Sequence, residues 1–152
     1  MIKLFVALLF FTVTVNVNAQ TDNPKYDKHL ADSLGADDYG MKMYVLVILK
    51  TGSNKVENKT TIDSLFRGHM QNIIRLASIG KLVVAGPLRK NDKDYEGIFI
   101  LNVKTVEDAK LLLETDPAIR AKLLDTEIYQ WYGSAALPEY LKFYDRVAKK
   151  KF

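Results

Sequence analysis

The chain has 152 residues, 48% hydrophobic and 26% charged, the balance of a single globular domain. Its 22 basic and 18 acidic residues give a mild net charge of +4 with no basic stripe, which argues against a nucleic-acid partner. The absence of cysteine excludes disulfides and a cysteine-linked lipid anchor.

Residues 1–19 read as a signal peptide. Lys3 gives a positive start, Leu4 to Val15 is an apolar run, and Val17-Asn18-Ala19 ends in a small residue before Gln20. The run is short for a membrane span, so cleavage near Ala19-Gln20 is expected. A periplasmic or secreted protein with no stable membrane association would follow; the alternative is an uncleaved anchor. Residues 20–42 form a polar leader, in which Tyr26, Leu30 and Leu34 lie four apart and predict a short helix ending at Gly35. His29, within it, reads as a surface residue.

Tyr44 to Leu49 is the first strand, apolar throughout, so both of its faces need covering. A polar loop leads to a helix with Thr60 or Thr61 as N-cap, Asp63 in its first turn and Gly80 at its end. Ile62, Leu65, Phe66, Ile73, Leu76 and Ala77 form its apolar stripe. His69 falls in the gap of that stripe, where Leu or Ile is expected. A titratable ring is thereby placed at the core, and both of its nitrogens need partners.

Leu82 to Gly86 is the second strand, closed by Pro87, and the polar turn Arg89–Asp94 joins it to a third strand, Gly97 to Val103. Thr105 opens a second helix with Glu107 and Asp108 in its first turn and Val106, Ala109, Leu112 and Leu113 as its apolar stripe. Asp116-Pro117 interrupts it, and a short helical piece from Pro117 to Leu124 follows. Glu127 to Tyr132 is the fourth strand. After Gly133-Ser134 a final amphipathic helix over Pro138–Lys150 is expected.

Strand, helix, strand, strand, helix, strand is the βαββαβ order of an α+β, ferredoxin-like fold: a four-stranded antiparallel sheet with its helices on one face, here with an extra C-terminal helix. Strands one and three are apolar on both faces while the helices cover only one. The other face calls for a second copy, giving a homodimer with packed sheets, or for the terminal segments.

Tyr44-Val45-Leu46, the Gly68-His69 helix, the run from Gly80 to Pro87 and Asp116-Pro117 together resemble the YCII-related (YciI-like) family. The resemblance covers about residues 42–133, so the domain is set at 43–134 and residues 135–152 are a C-terminal helical extension. It implies a dimeric α/β-barrel fold and a His/Asp-centred site, which falls on His69 and Asp116. In such a pair the carboxylate accepts a hydrogen bond from one ring N–H and the other nitrogen is free to act as a base. Arg67, Gly86, Pro87 and Trp131 are the candidate ligand-binding residues.

Simpler roles stand beside these. Asp116 suffices as the N-cap of the helix beginning at Pro117, and His69 as a core histidine bonded to a backbone carbonyl. Gly86-Pro87 serves as a strand end and Trp131 as a core or interface aromatic. Ser134 lacks the surroundings of a nucleophile elbow. No phosphate-cradling loop and no metal-ligand spacing appears, so no cofactor or metal is expected. The functional expectation is an exported lyase or isomerase moving a proton on a small organic molecule. The alternative is a non-catalytic ligand-binding or dimeric interaction module.

Overall fold

A computed structural model describes residues 23–150; the signal-peptide reading of residues 1–19 lies outside them. Strand β1 (Met41–Thr51) runs through the middle of the sheet. It pairs antiparallel with β3 (Tyr95–Leu101) on one side and β4 (Leu124–Ser134) on the other. β2 (Leu82–Pro87) adds to the outer edge of β3, giving the order β2-β3-β1-β4. This is the ferredoxin-like arrangement expected from the sequence. β1 and β4 pair over all 11 residues of each, beyond their apolar centres, because backbone hydrogen bonds extend a ladder whatever the side chains. β3 starts two residues before the expected Gly97 and stops at Leu101. The Asn91 side chain closes the preceding turn by accepting from the Lys93 and Tyr95 N–H groups and donating to the Tyr95 carbonyl.

Helix α1 (Lys28–Leu34) is capped by Asp27 and ends at Gly35, whose φ of 69° is left-handed. α2 (Lys59–Ser78) begins earlier than Thr60 or Thr61 would set it. Its cap is Asn58, whose side chain accepts the Thr61 N–H. α3 (Val106–Leu113) is capped by Thr105 as expected. α4 (Pro117–Arg120) is a single turn and does not reach Leu124, because Lys122 adopts φ 57° and turns the chain into β4. The C-terminal segment is a 3₁₀ turn (Leu137–Tyr140) followed by α5 (Leu141–Val147), shorter than the expected Pro138–Lys150.

The core lies on one face of the sheet. Val45, Val47, Leu49, Phe99, Leu101 and Leu124 pack there against Leu76 of α2, Ala109 and Leu113 of α3 and Ala118 of α4. Each fully buried large side chain among them stabilises the fold by about 1.5–3 kcal/mol. The inward stripe of α2 is Ile62, Leu65, His69, Asn72, Ile73 and Leu76, which corrects the expected one: Phe66 is 43% exposed and Ala77 is also exposed.

On the opposite face Leu46 and Ile48 of β1 and Ile98 and Ile100 of β3 are only half-buried. The chain after β4 crosses one end of this face. There the Tyr44 hydroxyl donates to the Ser134 carbonyl (2.9 Å), the Tyr140 hydroxyl bonds the Val83 carbonyl, and Ala135 is buried. The rest of the face has no cover among the described residues.

Candidate functional site

Two features bring α2 and α4 together. Gly68 faces Pro117, and a Cβ at position 68 would stand 2.8 Å from the Pro117 Cγ, so only glycine lets α4 rest this close on α2. Pro117 itself suits the first position of α4, where its missing N–H costs nothing. The residue before it is then the N-cap, and that residue is Asp116.

Asp116 is fully buried and divides its two oxygens between two tasks. Oδ1 caps α4, accepting the N–H groups of Ala118 (3.0 Å) and Ile119 (3.4 Å). Oδ2 lies 2.7 Å from His69 Nδ1 and accepts from the Asn72 amide at 3.3 Å. The capping role and the pairing role are therefore compatible in one side chain. Burial pushes this carboxyl up, but the His69 hydrogen bond and charge, the Asn72 amide and the Ala118 N–H outweigh it and hold it below its ordinary 3.8.

A carboxylate accepts only, so Nδ1 of the neutral ring carries the proton and Nε2 carries the lone pair. Nε2 has no hydrogen-bond partner among the described residues. It is also not sealed, since no fully buried side-chain nitrogen or oxygen among these residues lacks a partner. The ring is 7% exposed overall. Phe99 lies nearly parallel beneath it (centroids 5.8 Å, 21° between planes), and Phe66 meets it edge-on (6.3 Å, 88°). Ala85, paired with Phe99 on the edge strand β2, is exposed on the same side of the sheet. An imidazole with one nitrogen pinned, the other free and apolar walls around it can take a proton from a small molecule.

A further polar layer lies behind the pair. The Arg75 guanidinium donates from Nη2 to Asn72 Oδ1 (2.8 Å) and to Thr115 Oγ1 (2.7 Å), and the Thr115 hydroxyl lies 2.6 Å from the Leu112 carbonyl.

The remaining sequence candidates scatter. Arg67 is on the outer, exposed face of α2 beside Asp63, Met70 and Ile74, two residues and about half a turn from His69. Trp131 and Gly86 fall on the opposite face of the sheet by their pairing with Tyr44 and Ile98. The Trp131 ring lies tilted against Tyr44 (centroids 5.7 Å, 38° between planes) and over Gly133, where a Cβ would stand 2.4 Å from it. Pro87 ends β2 on the same side of the sheet as Ala85 and is the one of the four that the strand places toward the His69 flank. Asn72, Arg75 and Phe99 went unrecognised. Asn72 was legible: positions 65, 69, 72 and 76 keep the 3-4 spacing of a buried stripe, and a second polar residue on it pointed to a network. Among the described residues no group of three or more His, Cys, Asp or Glu side chains could hold a metal ion.

No family model and no curated protein matches the chain. Among the solved structures that match is the 5-chloro-2-hydroxyhydroquinone dehydrochlorinase TftG from Burkholderia phenoliruptrix AC1100, in complex with 2,5-dihydroxybenzoquinone. It is 22% identical and aligns over 57% of this chain and 92% of its own, with a TM-score of 0.41. The chemistry of the site therefore rests on its own geometry.

Proposed function

We propose that the chain is a small enzyme of lyase or isomerase type, resembling the YCII-related family, in which His69 moves a proton on a small organic molecule. The observation that supports it is the 2.7 Å His69–Asp116 pair with Nε2 left free. Nε2 takes a proton from carbon next to a carbonyl, and the electron pair it leaves passes into that carbonyl. The imidazolium so formed faces ionised Asp116. It then returns the proton to another atom (isomerisation), or a leaving group departs with the electron pair (elimination). A base positioned in this way contributes about 10²–10⁴-fold to rate. In this reading the protein is exported by residues 1–19 and works as a homodimer whose two copies cover each other's Leu46, Ile48, Ile98 and Ile100.

The test is hydrogen exchange in D2O against a panel of small carbonyl compounds, followed by NMR. The wild type should place deuterium at the acidic carbon of at least one of them, and His69→Asn should lose that exchange while remaining folded by circular dichroism. A His69→Asn that keeps the exchange would show that His69 is not the base, and one that does not fold would make the histidine structural.

A further inference from the structure

We infer that Arg75, acting through Asn72, is a positioning residue that sets the direction of the hydrogen-bond chain ending at His69. This rests on the general-base reading only in naming what the chain positions. A guanidinium donates and never accepts, so the 2.8 Å contact from Arg75 forces the Asn72 atom it meets to be the carbonyl oxygen. The Asn72 NH2 is thereby turned to Asp116 Oδ2, 3.3 Å away. Rotated the other way, Asn72 would set its amide against the guanidinium and its oxygen against a carboxylate, unfavourable at both ends. Oδ2 then receives two donors, Asn72 and His69 Nδ1, and its lone pairs have no reason to swing away from the ring.

Thr115 holds the other end. It accepts the second proton of the same Arg75 nitrogen at 2.7 Å, and its own single hydroxyl proton goes to the Leu112 carbonyl at 2.6 Å in preference to Asn72 Oδ1 at 3.0 Å, which leaves Arg75 as the donor that orients Asn72. Arg75 is thus held by two acceptors from two helical segments, Asn72 on α2 and Thr115 in the turn between α3 and α4. The chain runs from an exposed, permanently charged residue through 7%-exposed Asn72 to a fully buried carboxylate. Arg75 itself does not touch the ring.

Side-chain NMR on the full chain reads this directly. In the wild type the Asn72 carboxamide should give separated proton signals, with one proton slow to exchange with solvent, and the His69 Nδ1 proton should be visible. Arg75→Met removes the donor and keeps the stem. The Asn72 signals should then collapse toward those of an exposed asparagine, and the Nδ1 proton should exchange about 10- to 100-fold faster, as expected for the loss of one hydrogen bond to a charged group. Arg120→Met, which removes the same charge from an exposed position on α4, should change neither. Unchanged signals in Arg75→Met would overturn the inference. So would a wild type whose two Asn72 amide protons both exchange freely, a result that needs no variant. Neither signal depends on turnover: failure of His69→Asn in the deuterium assay removes the catalytic reading and leaves the positioning chain intact.

Discussion

Asp116→Asn separates the two tasks that one carboxylate performs. The asparagine oxygen can still accept the Ala118 N–H and cap α4. Its NH2 then stands where Oδ2 was, facing His69 Nδ1 and the Asn72 amide, which are both donors. The ring can respond by moving its proton from Nδ1 to Nε2, which removes the free base. Asn72 cannot respond without breaking its bond from Arg75. Losing a hydrogen bond to a charged group costs about 1.5–3 kcal/mol, and a buried donor left unpaired about 1–3 more, so a loss of about 2.5–6 kcal/mol is expected. Asp116→Ala removes the cap as well and should lie about 1 kcal/mol lower again.

Urea unfolding followed by circular dichroism at neutral pH measures both gaps. The pH dependence carries its own sign. Asp116 is held below its ordinary 3.8 in the folded chain, so its stabilisation is complete above that value and disappears as pH falls through the lower, folded one. The difference between wild type and Asp116→Asn should therefore be full at neutral pH and narrow below about pH 4. A gap under about 1 kcal/mol at neutral pH, or one that does not narrow in acid, would refute the assignment of a buried, ionised Asp116.

Other substitutions test the supports of the site. Gly68→Ala gains about 1 kcal/mol of helix propensity but drives a methyl into Pro117, which costs about 1–3 kcal/mol. A net loss in urea unfolding and a longer His69–Asp116 distance in a crystal structure are expected. Phe99→Ala removes a buried ring from beneath His69 and should cost about 3–5 kcal/mol in the same assay. If the open sheet face joins two copies, Ile100→Lys should convert a particle of two chains into one by light scattering with little change in circular dichroism. A wild type that is already a single chain would end the dimer proposal.

Much of the fold could be read from the chain because its signals are local. Gly35 after α1, Thr105 before α3, Pro117 at the start of α4 and the continuous apolar run of β1 each act within a few residues. The structure departs from the sequence pattern where longer-range contacts decide. Phe66 has the spacing of a core residue, but α2 turns it to the rim of the site and buries Asn72 instead, because Asp116 is there to pair with it. The end of α4 depends on the backbone turn at Lys122 rather than on any helix-breaking residue. Within the site, the family resemblance brought His69 and Asp116 together across 47 positions of sequence. No pattern could place Arg67 or Trp131 relative to them. Arg67 fell outside because two residues along a helix point nearly opposite ways, and Trp131 because a strand residue's face follows from its register.

In the proposed function, Asp116 orients His69 so that Nε2 is a free base. The 15N chemical shifts of the His69 ring, taken on the alkaline side of its titration in wild type and Asp116→Asn, test it most directly. The wild type should show a protonated Nδ1 and an unprotonated Nε2, and the variant the reverse. An Nε2-protonated ring in the wild type, or the same tautomer in both proteins, would contradict it.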